Sequence, residues 1–170
     1  MDNANMKFMP YQERDAEKVV SWITSEKSFY QWSSGVLGEY PLTPERLNAF
    51  YREWKTNHKY MVYCLCDENM EPVAQMILRY PEEDPRHIRF GFILADPALR
   101  GRGCGRKMLE MALAYSRDYL QAETVSLGVY TNNEGPIRLY ESLGFAFTGE
   151  EEEASYMGET WSCAEMELTL

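Results

Sequence analysis

The stretch from residue 93 to residue 108, ILADPALRGRGCGRKM, decides the fold that we predict for this chain. It passes from an apolar segment through Asp96-Pro97 into a glycine-rich loop, and a long helical pattern follows. Gly101, Gly103 and Gly105 occupy alternate positions, so no Cβ keeps a ligand away from the backbone there. The N–H groups of such a turn, together with the positive end of the following helix, attract an anion. The stretch therefore predicts a site for a diphosphate.

The charges around the glycines support this interpretation. Four basic residues surround them with no acidic residue between, namely Arg100, Arg102, Arg106 and Lys107. Two other phosphate loops fit less well. A Walker A loop needs Ser or Thr directly after Gly-Lys, and here Lys107 follows Arg106 and precedes Met108. A dinucleotide fingerprint spaces its glycines as Gly-x-Gly-x-x-Gly, whereas these three are spaced two and two.

A second informative stretch covers residues 132–145, NNEGPIRLYESLGF. Gly135-Pro136 favours the start of a helix, and Gly144 favours its end. Leu139 and Leu143 lie four residues apart and therefore share one helix face. The stretch predicts a short helix with one buried side.

Together the two stretches resemble the GNAT superfamily of acyl-CoA-dependent N-acetyltransferases. Residues 100–105 read Arg-x-x-Gly-x-Gly, like that family's pyrophosphate loop, and the later stretch is similar to the family's Asn-x-x-Ala-Ile-x-Leu-Tyr-x-x-x-Gly-Phe. Asn133 aligns with the family's asparagine and Tyr140 with its tyrosine, whereas Gly135-Pro136 departs from the usual small residues. The resemblance implies an α/β (α+β) GNAT fold in a single domain over residues 1–170. That fold has one mixed sheet of six to seven strands flanked by helices, with a splayed parallel strand pair at the cofactor site.

The resemblance also implies an activity, which is transfer of an acetyl group from the co-substrate acetyl-CoA to a primary amine by direct attack on the thioester. The acceptor is then a small molecule or a protein N-terminus. The implied cofactor-binding residues are Ile93, Leu94, Ala95, Arg100, Gly101, Arg102, Gly103, Cys104, Gly105 and Asn133. The pantetheine arm is expected to pair with the backbone near Leu94, where the strands splay after Asp96-Pro97. Tyr140 is the implied acid that protonates the leaving thiolate, unless its hydroxyl only bonds the sulfur.

The sequence does not identify the general base. Many relatives carry a glutamate at positions that hold Arg89 and Gly128 here, and neither residue can act as a carboxylate base. A water relay, or an acid from the loop that contains Glu82, Glu83 and Asp84, is the remaining source.

Two alternatives to an enzyme stay open at this stage. The missing carboxylate favours a non-catalytic acyl-CoA sensor on the same fold, and Tyr140 argues against it. A protein-interaction module on the same scaffold would not need the intact Arg-x-x-Gly-x-Gly loop. Dimers are frequent in this fold, so a homodimer is an option that the sequence does not decide.

Composition limits the class of protein further. The 170 residues are 45% apolar and carry a net charge of −10, which argues against a general nucleic-acid binder. The acidic surface either steers a cationic amine or serves solubility. No apolar run approaches the length of a membrane span, and residues 1–5 are too short and polar for a signal peptide. We therefore expect a cytoplasmic protein without a membrane partner.

The cysteines and histidines predict no metal site. Cys64 and Cys66 alternate along a strand-like run, and Cys104 and Cys163 stand alone. No pair of Cys-x-x-Cys units exists, and neither histidine belongs to a metal-binding cluster. All four cysteines are expected to be free thiols.

Hydrophobic periodicity predicts the other elements. Strands are expected at residues 6–11, 59–66, 73–80, 87–94 and 124–130 and twice more after residue 145, and helices at residues 15–23, 26–32, from 43 onward and after residue 103. Asp15 and Thr43 are the predicted helix caps, and Tyr119 is predicted on a buried helix face. The aromatic residues of the helix after Thr43 are predicted as core. The glutamates at 150–153 are predicted as a solvated face.

Overall fold

Seven strands form one mixed sheet in the computed structural model of the chain, which describes residues 5–56, 60–81 and 84–170. The strands are β1 (Lys7–Pro10), β2 (Tyr60–Cys66), β3 (Pro72–Arg79), β4 (His87–Ala95), β5 (Thr124–Tyr130), β6 (Ala146–Tyr156) and β7 (Glu159–Thr169). Their order in the sheet is β1-β2-β3-β4-β5-β7-β6. β4 and β5 are parallel, and every other neighbouring pair is antiparallel. The predicted mixed sheet is confirmed.

Within the described residues, five α-helices cover the two faces of this sheet. They are α1 (Ala16–Ser21), α2 (Glu26–Ser33), α3 (Pro44–Lys55), α4 (Cys104–Asp118) and α5 (Glu134–Ser142). Because side chains alternate along a strand, β3 places Leu78 in the core under α4 and α5 and Ile77 in the core under α1 to α3. No helix within the described residues is long and apolar enough to cross a membrane.

The helix caps show one correct and one wrong prediction. Thr43 caps α3 as predicted, since its hydroxyl accepts a hydrogen bond from the N–H of Arg46 at 3.2 Å. Asp15 does not cap α1 with its side chain. Its carboxylate instead accepts from the N–H of Gln12 at 2.8 Å and so closes the 3₁₀ turn that precedes the helix. The Asp15 carboxylate therefore stabilises this turn and not the first turn of α1.

Burial confirms the predicted core of α3 and corrects the prediction for α4. Leu47 and Tyr51 are fully buried, and no α3 residue lines the cleft described below. Tyr119 was predicted on a buried face, but it is 78% exposed because α4 ends at Asp118. Its ring stacks on the partly buried Tyr115 at 5.6 Å.

β6 is an edge strand of the sheet, and its glutamates face solvent. It pairs with β7 on one side only. Residues 150–153 are all exposed, as predicted for a solvated face. At the opposite edge, β1 has four residues and ends at Pro10.

The two parallel strands separate at the centre of the sheet. Pairing of β4 with β5 ends at Phe90 and Leu127, although β5 continues beside β7 as far as Tyr130. The last five residues of β4 therefore have no partner on the β5 side. The predicted splay exists, but it begins before Asp96-Pro97 and not after it.

A β-bulge in β4 lies where this separation begins. Ile77 pairs with Gly91, whereas Gln75 pairs with Leu94, so β4 carries one extra residue over this interval. Phe92 within it has a φ of 47°, which is left-handed and unfavourable for a residue with a bulky side chain. A bulge bends its strand and increases the local twist, which turns the end of β4 away from β5.

Buried side chains hold the bulge in place. Gln75 is fully buried, and its Nε2 donates to the Phe92 carbonyl at 3.4 Å while its Oε1 accepts from the Tyr51 hydroxyl at 2.9 Å. The Phe92 ring packs against Trp32 at 5.2 Å and Trp54 at 5.4 Å between centroids. Such surroundings over-determine a strained backbone, which is usual at ligand sites.

Candidate functional site

The separated strands open a cleft of about 820 Å³ through the middle of the sheet. Its walls come from the end of β4, the start of α4, the middle of β5, and the helices α2 and α5. A cleft of this size is typical of a small-molecule or cofactor site.

The cleft brings together most of the residues that the resemblance implied. Its lining includes Ile93, Leu94, Ala95, Arg100, Gly101, Gly103, Cys104, Gly105, Asn133 and Tyr140. Arg102 belongs to the same loop but does not line the cleft. The binding and catalytic roles of these residues stay predictions, while their common location is a property of the fold.

The glycine loop shapes one end of the cleft. Gly101 and Gly103 have φ values of 76° and 81°, in the left-handed region that favours glycine. Gly103 is the residue before α4, so no side chain caps the first N–H groups of that helix, and its first turn contains no acidic residue. The first N–H groups of the helix and its positive end therefore lie at this part of the cleft, as an anion site requires.

The exposed edge of β4 forms the next part of the cleft. Beyond Phe90, the N–H and C=O groups on the β5 side of β4 have no strand partner. Ile93, Leu94 and Ala95 lie on this edge and line the cleft. An extended ligand can add to such an edge as an extra strand does.

Tyr140 lies where α5 meets the cleft. The side chain is 5% exposed, and its ring lies edge-on to Phe145 at 6.1 Å. Within the described residues its hydroxyl has no hydrogen-bond partner. Burial raises the pKa of the Tyr140 phenol well above its usual range, so the hydroxyl stays protonated at neutral pH. The cleft thus contains a neutral, unengaged proton donor.

α2 supplies a wall that the sequence analysis did not assign to the site. Trp32 lines the cleft, and its buried Nε1–H has no partner among the described residues. Gln31 donates from Nε2 to the Asn132 side chain at 2.9 Å and so ties α2 to the loop after β5. The aromatic character of this segment was visible in the sequence, but nothing in it indicated which strand ends the helix would meet.

The fold brings a carboxylate to the positions where the sequence lacked one. Arg89 forms a two-pronged ion pair with Glu165 of β7, with Nη2 2.8 Å from Oε2. A Cβ on Gly128 would lie 3.9 Å from that carboxylate. The sequence analysis missed Glu165 because it lies 76 positions after Arg89 and belongs to no motif.

Of the three loop acids considered as bases, Asp84 is the one that the structure describes, and it does not line the cleft. Glu82 and Glu83 lie outside the described residues. Asp84 is bound by the N–H and the guanidinium of Arg86 at 2.9 and 3.2 Å, and these hydrogen bonds lower the pKa of Asp84. In the described part of the chain, no three His, Cys, Asp or Glu side chains are grouped to hold a metal ion.

Comparison with known protein families gives a match over most of the chain. The model of the acetyltransferase (GNAT) domain matches residues 5–146. The chain is 34% identical over 55 residues to a spermine/spermidine N(1)-acetyltransferase of Bacillus subtilis, a match that spans 32% of this chain and 36% of that relative. It is 32% identical over 113 residues to the N-alpha-acetyltransferase RimI of Mycobacterium tuberculosis, spanning 66% of each protein.

Solved structures share the whole fold. A spermidine N-acetyltransferase from Vibrio cholerae, determined with CoA and spermine, superposes with a TM-score of 0.82 at 18% identity and covers 98% of this chain and 96% of its own. A chimera of spermidine N-acetyltransferase SpeG from Vibrio cholerae and hSSAT gives a TM-score of 0.80 at 19% identity and covers 97% of this chain and 95% of its own. At such low identity the agreement establishes the fold.

Proposed function

Because the chain belongs to the acetyltransferase (GNAT) domain family, we propose that it transfers the acetyl group of acetyl-CoA to a primary amine. The observation that carries this proposal is the cleft itself. One continuous opening is lined by the glycine loop, the edge of β4 that has no partner on β5, and a neutral tyrosine. These are the three parts that thioester transfer from a nucleotide-linked carrier needs.

Each part of the cleft has a task in binding acetyl-CoA. The N–H groups around Gly103 would hold the diphosphate, and Arg100 adds a positive charge beside them. The edge of β4 from Ile93 to Ala95 would pair with the amide groups of the pantetheine arm. Such pairing fixes the thioester next to Tyr140, so that the reacting atoms meet without a further ordering step.

The chemistry is a direct displacement at the thioester carbonyl. An alkyl ammonium ion first loses a proton, since only the neutral amine is a nucleophile. Its nitrogen then forms a bond to the carbonyl carbon, the C–S bond breaks, and the Tyr140 hydroxyl gives its proton to the departing thiolate. The nitrogen, which is cationic once the new bond has formed, releases a second proton to solvent, and the phenolate takes one proton back from solvent. The net products are one acetyl amide, one thiol and one proton. Burial of Tyr140 keeps the phenol protonated before each cycle.

The names of the similar proteins point to different amines, a polyamine in one case and an N-alpha amine in the other. The acceptor of this chain therefore has to be assigned by experiment. We propose that the reaction takes place in the cytoplasm, which the four free cysteines support because reducing conditions keep thiols unpaired.

The test combines binding with turnover. Isothermal titration measures acetyl-CoA affinity, and a thiol-release assay with polyamines, amino acids and peptides measures transfer. We expect binding and amine-dependent thiol release. Binding without release from any amine would indicate a sensor, and an absence of binding would refute the proposal.

A further inference from the structure

A second groove of about 390 Å³ lies on the sheet face that carries α1 to α3. It adjoins the acetyl-transfer cleft at Gly128, which lines that cleft. A Cβ on Gly128 would lie 3.0 Å from Nη2 of Arg89 and 3.1 Å from Sγ of Cys163, and both of these residues line the groove. Gly128 therefore lies between the two spaces. An amine that reached the cleft from this face would leave the rest of its molecule in the groove.

The charges beside the opening do not cancel. Arg89 is neutralised by its two-pronged pair with Glu165, and it also donates to the Ser126 hydroxyl at 3.2 Å. Arg79 lies directly opposite Arg89 in the antiparallel register of β3 and β4 and lines the same groove. Two guanidinium groups and one carboxylate, that of Glu165, thus lie at this end of the groove.

Arg79 is the basic residue of the groove that has no ion pair within the described part of the chain. Its guanidinium also has no hydrogen bond to a described residue. It is half-buried, and burial together with the neighbouring charge of Arg89 lowers the pKa of Arg79. A cation in such a position is stabilised by an anion that binds from outside.

The glutamates of the groove do not supply that anion. Glu150, Glu151 and Glu152 lie on β6, four strands away from β3 in the sheet. All three are exposed, so water screens their charges, and Glu151 accepts a hydrogen bond from Ser162. β3 and β6 each lie two strands from β5, so Arg79 and these glutamates lie on opposite sides of the opening at Gly128.

We propose that Arg79 binds a carboxylate of the acceptor, and that the preferred acceptors are amines that carry a carboxylate, such as amino acids, and not bare polyamines. This inference rests on the proposed acetyl transfer and names its substrate class. A guanidinium binds a carboxylate through two parallel hydrogen bonds, which fixes orientation as well as charge. Gly128 on β5 and Arg79 on β3 are two strand spacings apart, which corresponds to about 10 Å between the two backbones.

Matched pairs of amines isolate the effect of the carboxylate. Lysine and cadaverine differ only in that group, as do 5-aminopentanoate and butylamine, and the second pair lacks the extra ammonium. We expect kcat/KM to be about tenfold or more higher for the carboxylate-bearing member of each pair, the usual contribution of one charge-assisted contact. Arg79→Gln should reduce this ratio to about one. Arg79→Lys keeps the charge but cannot form the two parallel hydrogen bonds, so it should retain part of the preference for the carboxylate.

Arg86→Gln is the control, since Arg86 is an exposed arginine in the loop before β4 and lies outside the groove. It should leave both activity and ratio unchanged. Equal or better turnover of cadaverine and butylamine would overturn the inference while leaving acetyl transfer intact. A ratio that survives Arg79→Gln would overturn it as well. Failure of every amine to release thiol would instead refute the proposed function, and the inference with it.

Discussion

Replacing Tyr140 by phenylalanine removes one oxygen atom from the centre of the cleft and leaves the rest of the ring in place. The hydroxyl has no hydrogen-bond partner within the described residues, so its removal leaves none of their buried polar groups without a hydrogen bond. The ring keeps its edge-on contact with Phe145 at 6.1 Å. We therefore expect the free energy of unfolding to change by less than about 1 kcal/mol.

Turnover should respond very differently. A positioned general acid contributes roughly 10² to 10⁴ in rate, equivalent to about 3–5 kcal/mol of activation free energy. Because the proton is transferred only as the C–S bond breaks, acetyl-CoA affinity should change little while kcat falls by that factor. Burial raises the pKa of Tyr140, so kcat of the parent should show no loss from ionisation of this phenol up to at least pH 10.

The assay is a set of three measurements on Tyr140→Phe and the parent, namely thiol release, isothermal titration with acetyl-CoA and urea unfolding. Tyr119→Phe is the matched control, because it removes the same atom from a side chain that is 78% exposed. A kcat within about threefold of the parent would remove Tyr140 from the mechanism. A loss of affinity equal to the loss of rate would make it a binding contact.

Three further predictions follow from the backbone and the buried polar groups. Gly103→Ala should cost about 1–2 kcal/mol of stability and weaken acetyl-CoA binding, because its φ of 81° strains any residue with a Cβ. Gly105→Ala, whose Cβ would lie at an ordinary 3.6 Å from its nearest neighbour, should leave stability unchanged or improve it, and equal destabilisation of both variants in urea would contradict this reasoning. Gln75→Leu should lower the free energy of unfolding by about 1–3 kcal/mol, because it leaves the Tyr51 hydroxyl and the Phe92 carbonyl unpaired. Tyr51→Phe should lower it by less. The reverse order in thermal unfolding would show that Gln75 does not hold the bulge. Stability should begin to fall above about pH 8.5, where cysteine thiols ionise in the unfolded chain while burial raises their pKa in the folded one. It should fall more steeply above about pH 10, since phenols ionise there in the unfolded chain while burial keeps five of them neutral in the folded one. A urea midpoint that does not fall between pH 9 and 11 would contradict this effect, which involves Tyr11, Tyr51, Tyr63, Tyr130 and Tyr140.

The sequence predicts the parts of this molecule that depend on local chemistry. The glycine loop before α4 and the Thr43 cap of α3 each follow from residues within a few positions of one another. The strand–helix–strand order of β4, α4 and β5 likewise predicts their parallel pairing, because such crossovers have one favoured geometry.

What the sequence does not predict depends on contacts between distant residues. Phe92 takes a left-handed conformation because Gln75, 17 positions earlier, binds its carbonyl and two tryptophans hold its ring. No propensity of phenylalanine favours that conformation. Glu165 reaches Arg89 only because β7 lies beside β5, a sheet order that local periodicity does not encode.

The exposed glutamates of β6 have a consequence for how copies of this protein meet. The outer side of an eleven-residue edge strand offers unpaired N–H and C=O groups to any strand of another molecule, and like charges along it repel such an addition. The opposite edge is protected differently, by the shortness of β1 and by Pro10. As the pH falls towards the isoelectric point of about 4.7, the repulsion between molecules fades while β6 keeps its length. Acidic storage should therefore make solutions turbid through strand-to-strand aggregation that begins at β6.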